Sequence, residues 1–311
     1  MPVEAPVSQH ERVARRRAKV DDEQITSDLF DDSPNPSRSP ANPDRLDGTA
    51  EFDGVDELAD LSTYRDAAHG PDPVPAWVIT DANARDEDLG VLKTGKEADC
   101  SLIRRTLSST GESCLFAAKR FRDGQHRMFH RDAGYLEGRR MRRSRETRAI
   151  ATRTAFGKDL ISGQWARAEF EFLGRLWSAG ASVPYPVQLI GTEIMMEFIG
   201  TPAGVAAPRL AQISATRTEL VELYHHCRTA LCIIAEIGYT HGDLSPYNIL
   251  VDDGRIVLID VPQVVDLVGN PQGRQFLERD CTNICTWFAA KGVDEADTGD
   301  LVDELWSYVP S

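Results

Sequence analysis

The stretch HGDLSPYNILVDDGRIVLID, from His241 to Asp260, places an aspartate, an asparagine five residues later and a further aspartate at its end, after a short predicted hairpin. Asp243 and Asn248 lie on one predicted loop, and a predicted hairpin of two short apolar strands separates Asn248 from Asp260. Because an unpaired buried carboxylate is costly, such groups usually bind a ligand or a metal. Oxygen atoms of Asn248 and Asp260 suit Mg²⁺, which leaves Asp243 to accept or orient the proton of an attacking hydroxyl. The spacing therefore predicts phosphoryl transfer.

This chemistry requires a nucleotide-binding segment earlier in the chain. Lys119 ends the apolar run CLFAAK on a predicted strand, where it would reach the α- and β-phosphates of ATP. A carboxylate must hold such a lysine, and the predicted helix over residues 163–180 offers Glu169 and Glu171. These two side chains point about 200° apart on a helix, so only one can face the lysine. Glu169 is the preferred partner because it borders the apolar face of the helix.

Two other segments are placed to contact the nucleotide. KTGKEAD lies between the first two predicted strands, where a loop would cover the phosphates. MMEFIG links the two halves of the chain, and the backbone of Glu197 and Ile199 would bind the adenine edge, with Met196 at the back of the pocket. The residues predicted to bind nucleotide are Thr94, Gly95, Lys96, Glu97, Lys119, Glu169, Met196, Glu197, Ile199 and Asn248.

Strand patterns dominate the chain up to about Gly200, and helical patterns follow. Three strands are predicted from Leu89 to Phe121, with a turn at SSTGE, and two more within VPYPVQLIGTEIMMEFIG. Helices are predicted at RTELVELYHHCRTALCIIAEIG and GRQFLERDCTNICTWFAAKG, on either side of the hairpin. The pattern predicts an α+β fold with a strand-rich N-lobe and a helical C-lobe. The predicted domains are a tail over 1–70, an N-lobe over 71–199 with an insert at about 124–160, and a C-lobe over 200–311.

The tail and the insert have unusual compositions. The tail is rich in Pro, Asp and Ser and poor in core residues, which predicts disorder, and Ser33, Ser37 and Ser39 are candidate phosphate acceptors. The insert carries the arginine-rich stretch GRRMRRSRETRAIATR. It is either a solvated loop or a docking surface, over Arg139–Arg153, for RNA, a ribosomal particle or an acidic protein.

Overall composition narrows the classes of function. The chain has 311 residues and a net charge of −14, which argues against general binding to nucleic acid or membrane surfaces. No apolar run approaches the roughly eighteen residues of a membrane span, and no secretory signal begins the chain. The six cysteines form no CxxC pair, although Cys281 and Cys285 lie one helical turn apart in CTNIC. Reduced thiols in a cytoplasmic protein are therefore expected.

Seven motifs occur in a characteristic order: KTGKEA, AAK, WARAE, EFIG, HGDLSPYN, IDVPQ and FLERDC. Together they resemble the RIO family of atypical serine/threonine protein kinases, in particular its first branch. The resemblance covers residues 89–293, and it depends on S-T-G-K-E-A, W-A-x-x-E, H-x-D-L-S-x-x-N, I-D-V-x-Q and F-L-x-x-D-C patterns. Three residues depart from the family or add rigidity: Lys93 replaces a serine, Asp99 replaces an asparagine, and Pro246 stiffens the catalytic loop.

The resemblance implies a two-lobed protein-kinase-like fold without an activation segment or substrate-docking helices. It implies ATP with Mg²⁺, or Mn²⁺, between the lobes. The catalytic residues would be Asp243, Lys119 and Asp260, and the metal ligands would be Asn248 and Asp260. In this family the counterpart of Asp260 also becomes phosphorylated during ATP turnover.

Three functions remain open at this level. The first is a RIO-type protein kinase that phosphorylates serine or threonine in an unknown protein substrate, including its own tail. The second is an ATP-hydrolysing switch in ribonucleoprotein or ribosome assembly. The third is a small-molecule phosphotransferase, because aminoglycoside and choline kinases share the H-G-D-x-x-x-x-N pattern. The KTGKEA and FLERDC motifs favour the RIO family over the third alternative.

Overall fold

An antiparallel sheet of six strands forms the first part of the fold. The computed structural model describes residues 61–122, 155–261 and 263–310, with the backbone alone for 155–161. The strands are β1 (Ala68–His69), β2 (Arg85–Thr94), β3 (Ala98–Leu107), β4 (Glu112–Phe121), β5 (Pro186–Ile190) and β6 (Glu193–Glu197). Their order across the sheet is β1-β5-β6-β4-β3-β2. The three strands and the turn predicted over Leu89–Phe121 correspond to β2, β3 and β4.

Alternation along β4 directs Lys119 away from one of the hydrophobic clusters. Cys114, Phe116 and Ala118 are buried on one face of the strand and pack with Tyr185. Because successive side chains of a strand point to opposite faces, Lys119 lies on the other face. The sequence pattern that identifies the strand thus also determines which way the lysine points.

The first helix, α1 (Ala155–Ser178), covers the Lys119 face of the sheet. Phe170 is buried there against Phe121, Leu189 and Ile194. The helix begins before the predicted start at residue 163, so residues 155–160, which were assigned to the insert, are helical instead. The two glycines of AFGKDLISG have low helix propensity and obscured this extension in the sequence.

Residues 61–84 form a strap across the other face of the sheet. Tyr64 and Val78 are buried there, and β1 pairs with β5. The structure therefore differs from the sequence prediction, which placed residues 61–70 in the tail. The strap contributes few core side chains from a short segment, so its composition resembles that of a tail. The rest of the predicted tail and most of the predicted insert lie outside the described residues.

The second part of the fold is helical, as predicted. Its elements are β7 (Tyr239–Thr240), β8 (Ile249–Asp252), β9 (Arg255–Leu258), β10 (Val265–Asp266) and the helices α2 (Arg217–Glu236), α3 (Gly273–Ala290) and α4 (Thr298–Tyr308). The helix predicted at RTELVELYHHCRTALCIIAEIG is confirmed as α2, with Leu223, Cys227 and Ile234 buried in one large core. Thr216 caps α2 by accepting a hydrogen bond from the Glu219 amide. Helix α4, which sequence analysis did not identify, packs against α2 and α3.

The two parts are joined by a tightly folded segment after β6. Gly200 has φ 155° and forms an antiparallel bridge with Ala206. The Thr201 amide donates to the Val205 carbonyl at 2.9 Å, and the Ala207 amide donates to the Ile199 carbonyl at 3.0 Å. A Cβ at position 200 would lie 2.3 Å from the Val205 carbonyl oxygen, so the bridge requires glycine.

Two further expectations concern a membrane-spanning helix and an activation segment. Within residues 61–122, 155–261 and 263–310, no helix has the length and apolar character needed to cross a membrane. Residues 261–272 alone connect Asp260 to α3, which leaves little room for an activation segment.

Candidate functional site

Lys119 and Glu169 form an ion pair between β4 and α1. Lys119 Nζ lies 2.8 Å from Glu169 Oε1 and 2.9 Å from Oε2, and the Glu169 side chain is only 2% exposed. Burial alone would lower the pKa of Lys119, but the carboxylates of Glu169 and Asp260 outweigh burial and raise it. Burial raises the pKa of Glu169, and the Lys119 ammonium opposes that rise. Glu171 contacts Arg167 instead, at 3.8 Å, so Glu169 is the partner as predicted.

Asp260 approaches the same lysine from the C-lobe. Its Oδ1 lies 2.8 Å from Lys119 Nζ, and 43% of its side chain is exposed. Asp260 has φ 63°, in the left-handed region that aspartate tolerates better than most residues. Burial would raise the pKa of Asp260, but the Lys119 ammonium lowers it, with smaller contributions from Lys93 and His241. Three separate segments of the chain therefore meet at Lys119.

Asn248 connects the predicted catalytic loop with the strand that leads to Asp260. Its Nδ2 donates to the Asp243 carbonyl at 2.9 Å, and its own carbonyl accepts from the Ile259 amide at 2.9 Å. His241 is buried, and its Nε2 lies 3.1 Å from the Ile259 carbonyl. The hairpin of β8 and β9 thus brings Asp260 back to Asn248, as the sequence analysis predicted.

The Asp243 side chain is exposed at the edge of this group. Loss of hydration raises the pKa of its carboxyl, and the nearby His241 and Arg279 side chains partly oppose this rise. Asp260 and Asp280 add to the rise, because each places a further negative charge nearby. Asp243 is therefore accessible, and it is a stronger base than an ordinary aspartate.

Helix α3 holds the predicted catalytic loop through a buried residue that sequence analysis did not single out. Asp280 is 1% exposed and accepts hydrogen bonds from Thr240 Oγ1 at 2.8 Å, the Gly242 amide at 2.7 Å and the Leu244 amide at 3.0 Å. Asn283 Nδ2 donates to the Leu244 carbonyl at 3.0 Å. Arg279 donates to the Gly242 carbonyl. Asp280 was quoted only as part of FLERDC, although a carboxylate within an otherwise apolar helix face indicates a positioning role.

The predicted phosphate loop is the turn between β2 and β3. Thr94 pairs with Asp99 across the two strands, and the Gly95 amide donates to the Ala98 carbonyl at 3.0 Å. The Glu97 carbonyl accepts from the Arg122 amide at 2.9 Å. Thr94, Gly95, Lys96 and Glu97 therefore lie on one short turn. Lys93, at the base of this turn, is close enough to Asp260 to influence its pKa.

The residues predicted to contact adenine lie at and just beyond the end of β6. Met196 packs against hydrophobic clusters of both lobes. The Glu197 amide donates to the Tyr185 carbonyl at 2.8 Å, and the Ile199 carbonyl accepts from Ala207. The Glu197 carbonyl and the Ile199 amide are accordingly the groups to consider for adenine binding, and their role stays a prediction.

Comparisons with known proteins agree with this arrangement. The RIO domain model matches residues 117–301 of the chain. The RIO-type serine/threonine-protein kinase Rio1 of Haloferax volcanii is 35% identical over 153 residues, which is 49% of this chain and 49% of that protein. The serine/threonine-protein kinase RIO3 of Homo sapiens is 37% identical over 137 residues, which is 44% of this chain and 26% of that protein. The matched region thus spans about half or less of these relatives.

Solved structures show the same fold. A Rio2 kinase–ADP/Mg²⁺–phosphoaspartate complex from Chaetomium thermophilum has a TM-score of 0.51 and 22% sequence identity, over 71% of this chain and 62% of that chain. Another structure of Rio2 kinase from the same organism has a TM-score of 0.52 and 21% identity, over 72% of this chain and 64% of that chain. The prediction of a two-lobed kinase-like α+β fold is confirmed.

Proposed function

Because the chain belongs to the RIO domain family, we propose that it is an ATP- and Mg²⁺-dependent serine/threonine protein kinase. It would transfer the γ-phosphate of ATP to a serine or threonine hydroxyl of a protein, its own chain included. The observation that carries the proposal is the position of Lys119 Nζ, 2.8 Å from Glu169 and 2.8 Å from Asp260. The names of the relatives support the same class of reaction.

The donor atoms near Asp260 fit a hard divalent cation. Asn248 uses its Nδ2 as a donor to the Asp243 carbonyl, which leaves its amide oxygen for a cation. Asp260 uses Oδ1 for Lys119, which leaves Oδ2. Among the described residues, no group of three or more His, Cys, Asp or Glu is arranged to hold a metal. Mg²⁺ commonly takes one or two protein oxygens together with phosphate oxygens, so this pair suffices when a nucleotide is present.

The residues of the chain would divide the work as follows. Lys119, held by Glu169, would bind the α- and β-phosphates, and the turn from Thr94 to Glu97 would cover them. Asp243 would orient the acceptor hydroxyl and accept its proton. Mg²⁺, when bound by Asn248 and Asp260, supplies charge neutralisation at the phosphates. The carbonyl of Glu197 and the amide of Ile199 would bind the adenine edge, with Met196 behind it.

Several finer features belong to this proposal. Mn²⁺ shares the preference for oxygen ligands and would substitute for Mg²⁺. A division at about Gly200 into an N-lobe over 71–199 and a C-lobe over 200–311 remains our proposal. The arginines over Arg139–Arg153, outside the described residues, would bind RNA or a ribosomal particle. A cytoplasmic location is proposed because the six cysteines are all free thiols.

Radiolabelled ATP with Mg²⁺ provides the direct test. Purified wild-type chain should become labelled on serine or threonine, alone or with a general acceptor protein. Asp243→Ala should abolish the label without unfolding the chain, because the Asp243 side chain is exposed. Asp303→Ala, at another exposed carboxylate, is the matched control and should label normally.

The nature of the label distinguishes this kinase from an ATP-hydrolysing switch. Label that is released by hydroxylamine and lost in Asp260→Ala would be an acyl phosphate, and it would contradict serine/threonine transfer as the main activity. Equal serine/threonine labelling of wild type and Asp243→Ala would overturn the assignment of Asp243.

A further inference from the structure

Asp99 and Arg122 form an ion pair beside the predicted phosphate loop. Arg122 Nε lies 2.7 Å from Asp99 Oδ2, and its Nη2 lies 2.6 Å from Oδ1, so the contact is bidentate. The Arg122 side chain is 39% exposed, and the Asp99 side chain is 37% exposed. Two parallel hydrogen bonds fix the relative orientation of the two groups far better than a single charge contact does.

Each member of the pair has a second contact with the loop. Asp99 pairs in register with Thr94, and its carboxylate also accepts a hydrogen bond from the Thr94 side chain. The Arg122 amide donates to the Glu97 carbonyl at 2.9 Å. The Arg122 carbonyl accepts from Ser162 Oγ of α1 at 2.9 Å. The pair therefore joins both ends of the turn and connects the turn to α1.

The charge of Asp99 presents a problem for nucleotide binding. The loop carries Lys93 and Lys96, which would attract phosphates, whereas a carboxylate at position 99 would repel them. Hydrogen bonds from Arg122 lower the pKa of Asp99, so its carboxylate remains ionised at neutral pH. Arg122 is therefore the group that offsets this negative charge.

We propose that Arg122 is a positioning residue for the phosphate loop. Its side chain permits nucleotide binding by neutralising Asp99 and holding it beside Thr94, while its main-chain amide holds Glu97. The inference rests on the proposed function, because it concerns the ATP site of the same reaction. It concerns a position where this chain departs from the asparagine expected in the loop. Arg122 acts through Asp99 and is not assigned a contact with the nucleotide.

Equilibrium binding of a fluorescent ATP analogue with Mg²⁺ to the full chain tests the proposal. Arg122→Gln should weaken binding about threefold to fivefold at low salt, because Asp99 is left uncompensated. Adding Asp99→Asn to this variant should restore most of the affinity, since asparagine retains an acceptor for Thr94 without the charge. Arg104→Gln is the control, because the Arg104 side chain is 40% exposed, close to the 39% of Arg122, and it pairs with Glu87 on β2 and β3 toward the ends farther from the loop.

Steady-state kinetics separate positioning from general structural damage. Arg122→Gln should raise the KM for ATP more than it lowers kcat, and the difference should shrink at 0.5 M salt, where the Debye length is about 4 Å. Arg122→Lys retains the charge but loses the bidentate geometry, so its affinity should lie between wild type and Arg122→Gln. Thermal unfolding of each variant shows whether the fold is retained.

Two results would overturn the inference alone: wild-type affinity in Arg122→Gln, or a double variant Arg122→Gln/Asp99→Asn that binds as weakly as Arg122→Gln. If the wild-type chain and Lys119→Met were alike in binding no nucleotide, the proposed function would fail and this inference with it. If wild type binds nucleotide and Lys119→Met does not, the proposed function stands, and the Arg122 variants alone decide the inference about Arg122.

Discussion

The sheet carries the fully buried Arg105 on one face and the largely buried Lys119 on the other, and the two cations differ in how their partners are arranged. Arg105, on the strap side, is fully buried and binds Asp86 through two hydrogen bonds of 2.6 and 2.7 Å. Its remaining hydrogen-bond donors reach the Gln188 side chain at 2.9 Å and the Ile79 carbonyl at 3.2 Å. The guanidinium also lies over the ring of Phe116, 4.9 Å from its centroid. Each of these partners belongs to the sheet or to the strap that covers it.

Lys119 has partners of a different kind. Glu169 is as buried as the partners of Arg105, but Asp260 comes from the other lobe and is 43% exposed. Under the proposed function, Lys119 would exchange Asp260 for a phosphate, whereas Arg105 has no accessible partner to exchange. Burial and charge alone therefore do not identify a functional cation. A cation that has an exposed partner, which a ligand can replace, is the better candidate.

The largest effect is expected from removing Lys119, the cation whose partner Asp260 is partly exposed. Lys119→Met should lower the rate of phosphotransfer about 10³-fold, or about 4 kcal/mol of transition-state stabilisation, because the phosphates lose their bound ammonium. Initial rates with labelled ATP measure this. Lys291→Met, the same change at the exposed residue that follows α3, should leave the rate unchanged. A residual rate above one tenth of wild type would show that Lys119 is not the phosphate-binding lysine.

Removing Arg105, the cation whose partners are all held within the sheet and strap, should instead affect stability. Arg105→Met should lower the free energy of unfolding by about 3–5 kcal/mol, because Asp86 and Gln188 lose their buried partner. Denaturant unfolding measures the change. Adding Asp86→Leu should recover part of the loss. Arg104→Met should cost far less, because the Arg104 side chain is 40% exposed. A loss below about 1 kcal/mol in Arg105→Met would mean that the strap does not depend on this residue.

A change in Asp280 tests whether a fixed polar contact can also control activity. Asparagine has one acceptor oxygen where the Asp280 carboxylate has two, so Asp280→Asn should cost about 2 kcal/mol of stability. It should also lower kcat while the affinity for ATP changes little, because Asp280 holds the catalytic loop rather than the phosphate loop. Asp303→Asn serves as the exposed control. Equal losses in kcat and in ATP affinity would contradict this separation.

The smallest expected effect concerns the pH dependence of the rate. The pKa of Asp243 is raised by loss of hydration, and the carboxylate must be ionised to accept a proton. Activity should therefore be lost as the pH falls through a value above 3.9, the ordinary pKa of an aspartate. Rates measured from pH 8 down to about pH 3, with circular dichroism at each pH to detect acid unfolding, give this value. If the rate instead fell with a midpoint at or below pH 3.9, Asp243 would be as solvated as an ordinary surface aspartate.

Local patterns in the sequence were sufficient for much of the fold and for the centre of the site. Alternation predicted β4 and the position of Lys119, and helical spacing favoured Glu169 over Glu171. Asp243, Asn248 and Asp260 were found together because they are close in sequence and a tight hairpin separates them. In each of these cases the residues that define the feature lie within a few turns or one strand of each other.

Features that depend on distant contacts were missed. The strap over residues 61–84 is stabilised by Arg105 and by the edge of β5, which lie far along the chain. Asp280 acquires its role only because α3 packs beneath a loop that precedes it by about forty residues. Only Asp99 stood out in the sequence, as an unusual residue of the loop. Its partner Arg122 follows the end of β4, more than twenty residues along the chain.

Gly200 at the junction of the lobes has a consequence for how they move. A glycine in a connecting segment often provides a flexible hinge, but here its lack of a side chain permits the close bridge to Ala206. The amides of Thr201 and Ala207 are hydrogen-bonded on either side of that bridge. Bending at this point would break those bonds, so the segment from Ile199 to Ala207 should move as one piece. Opening and closing of the cleft would then require rotation outside this segment, and the glycine would stiffen the connection between the lobes.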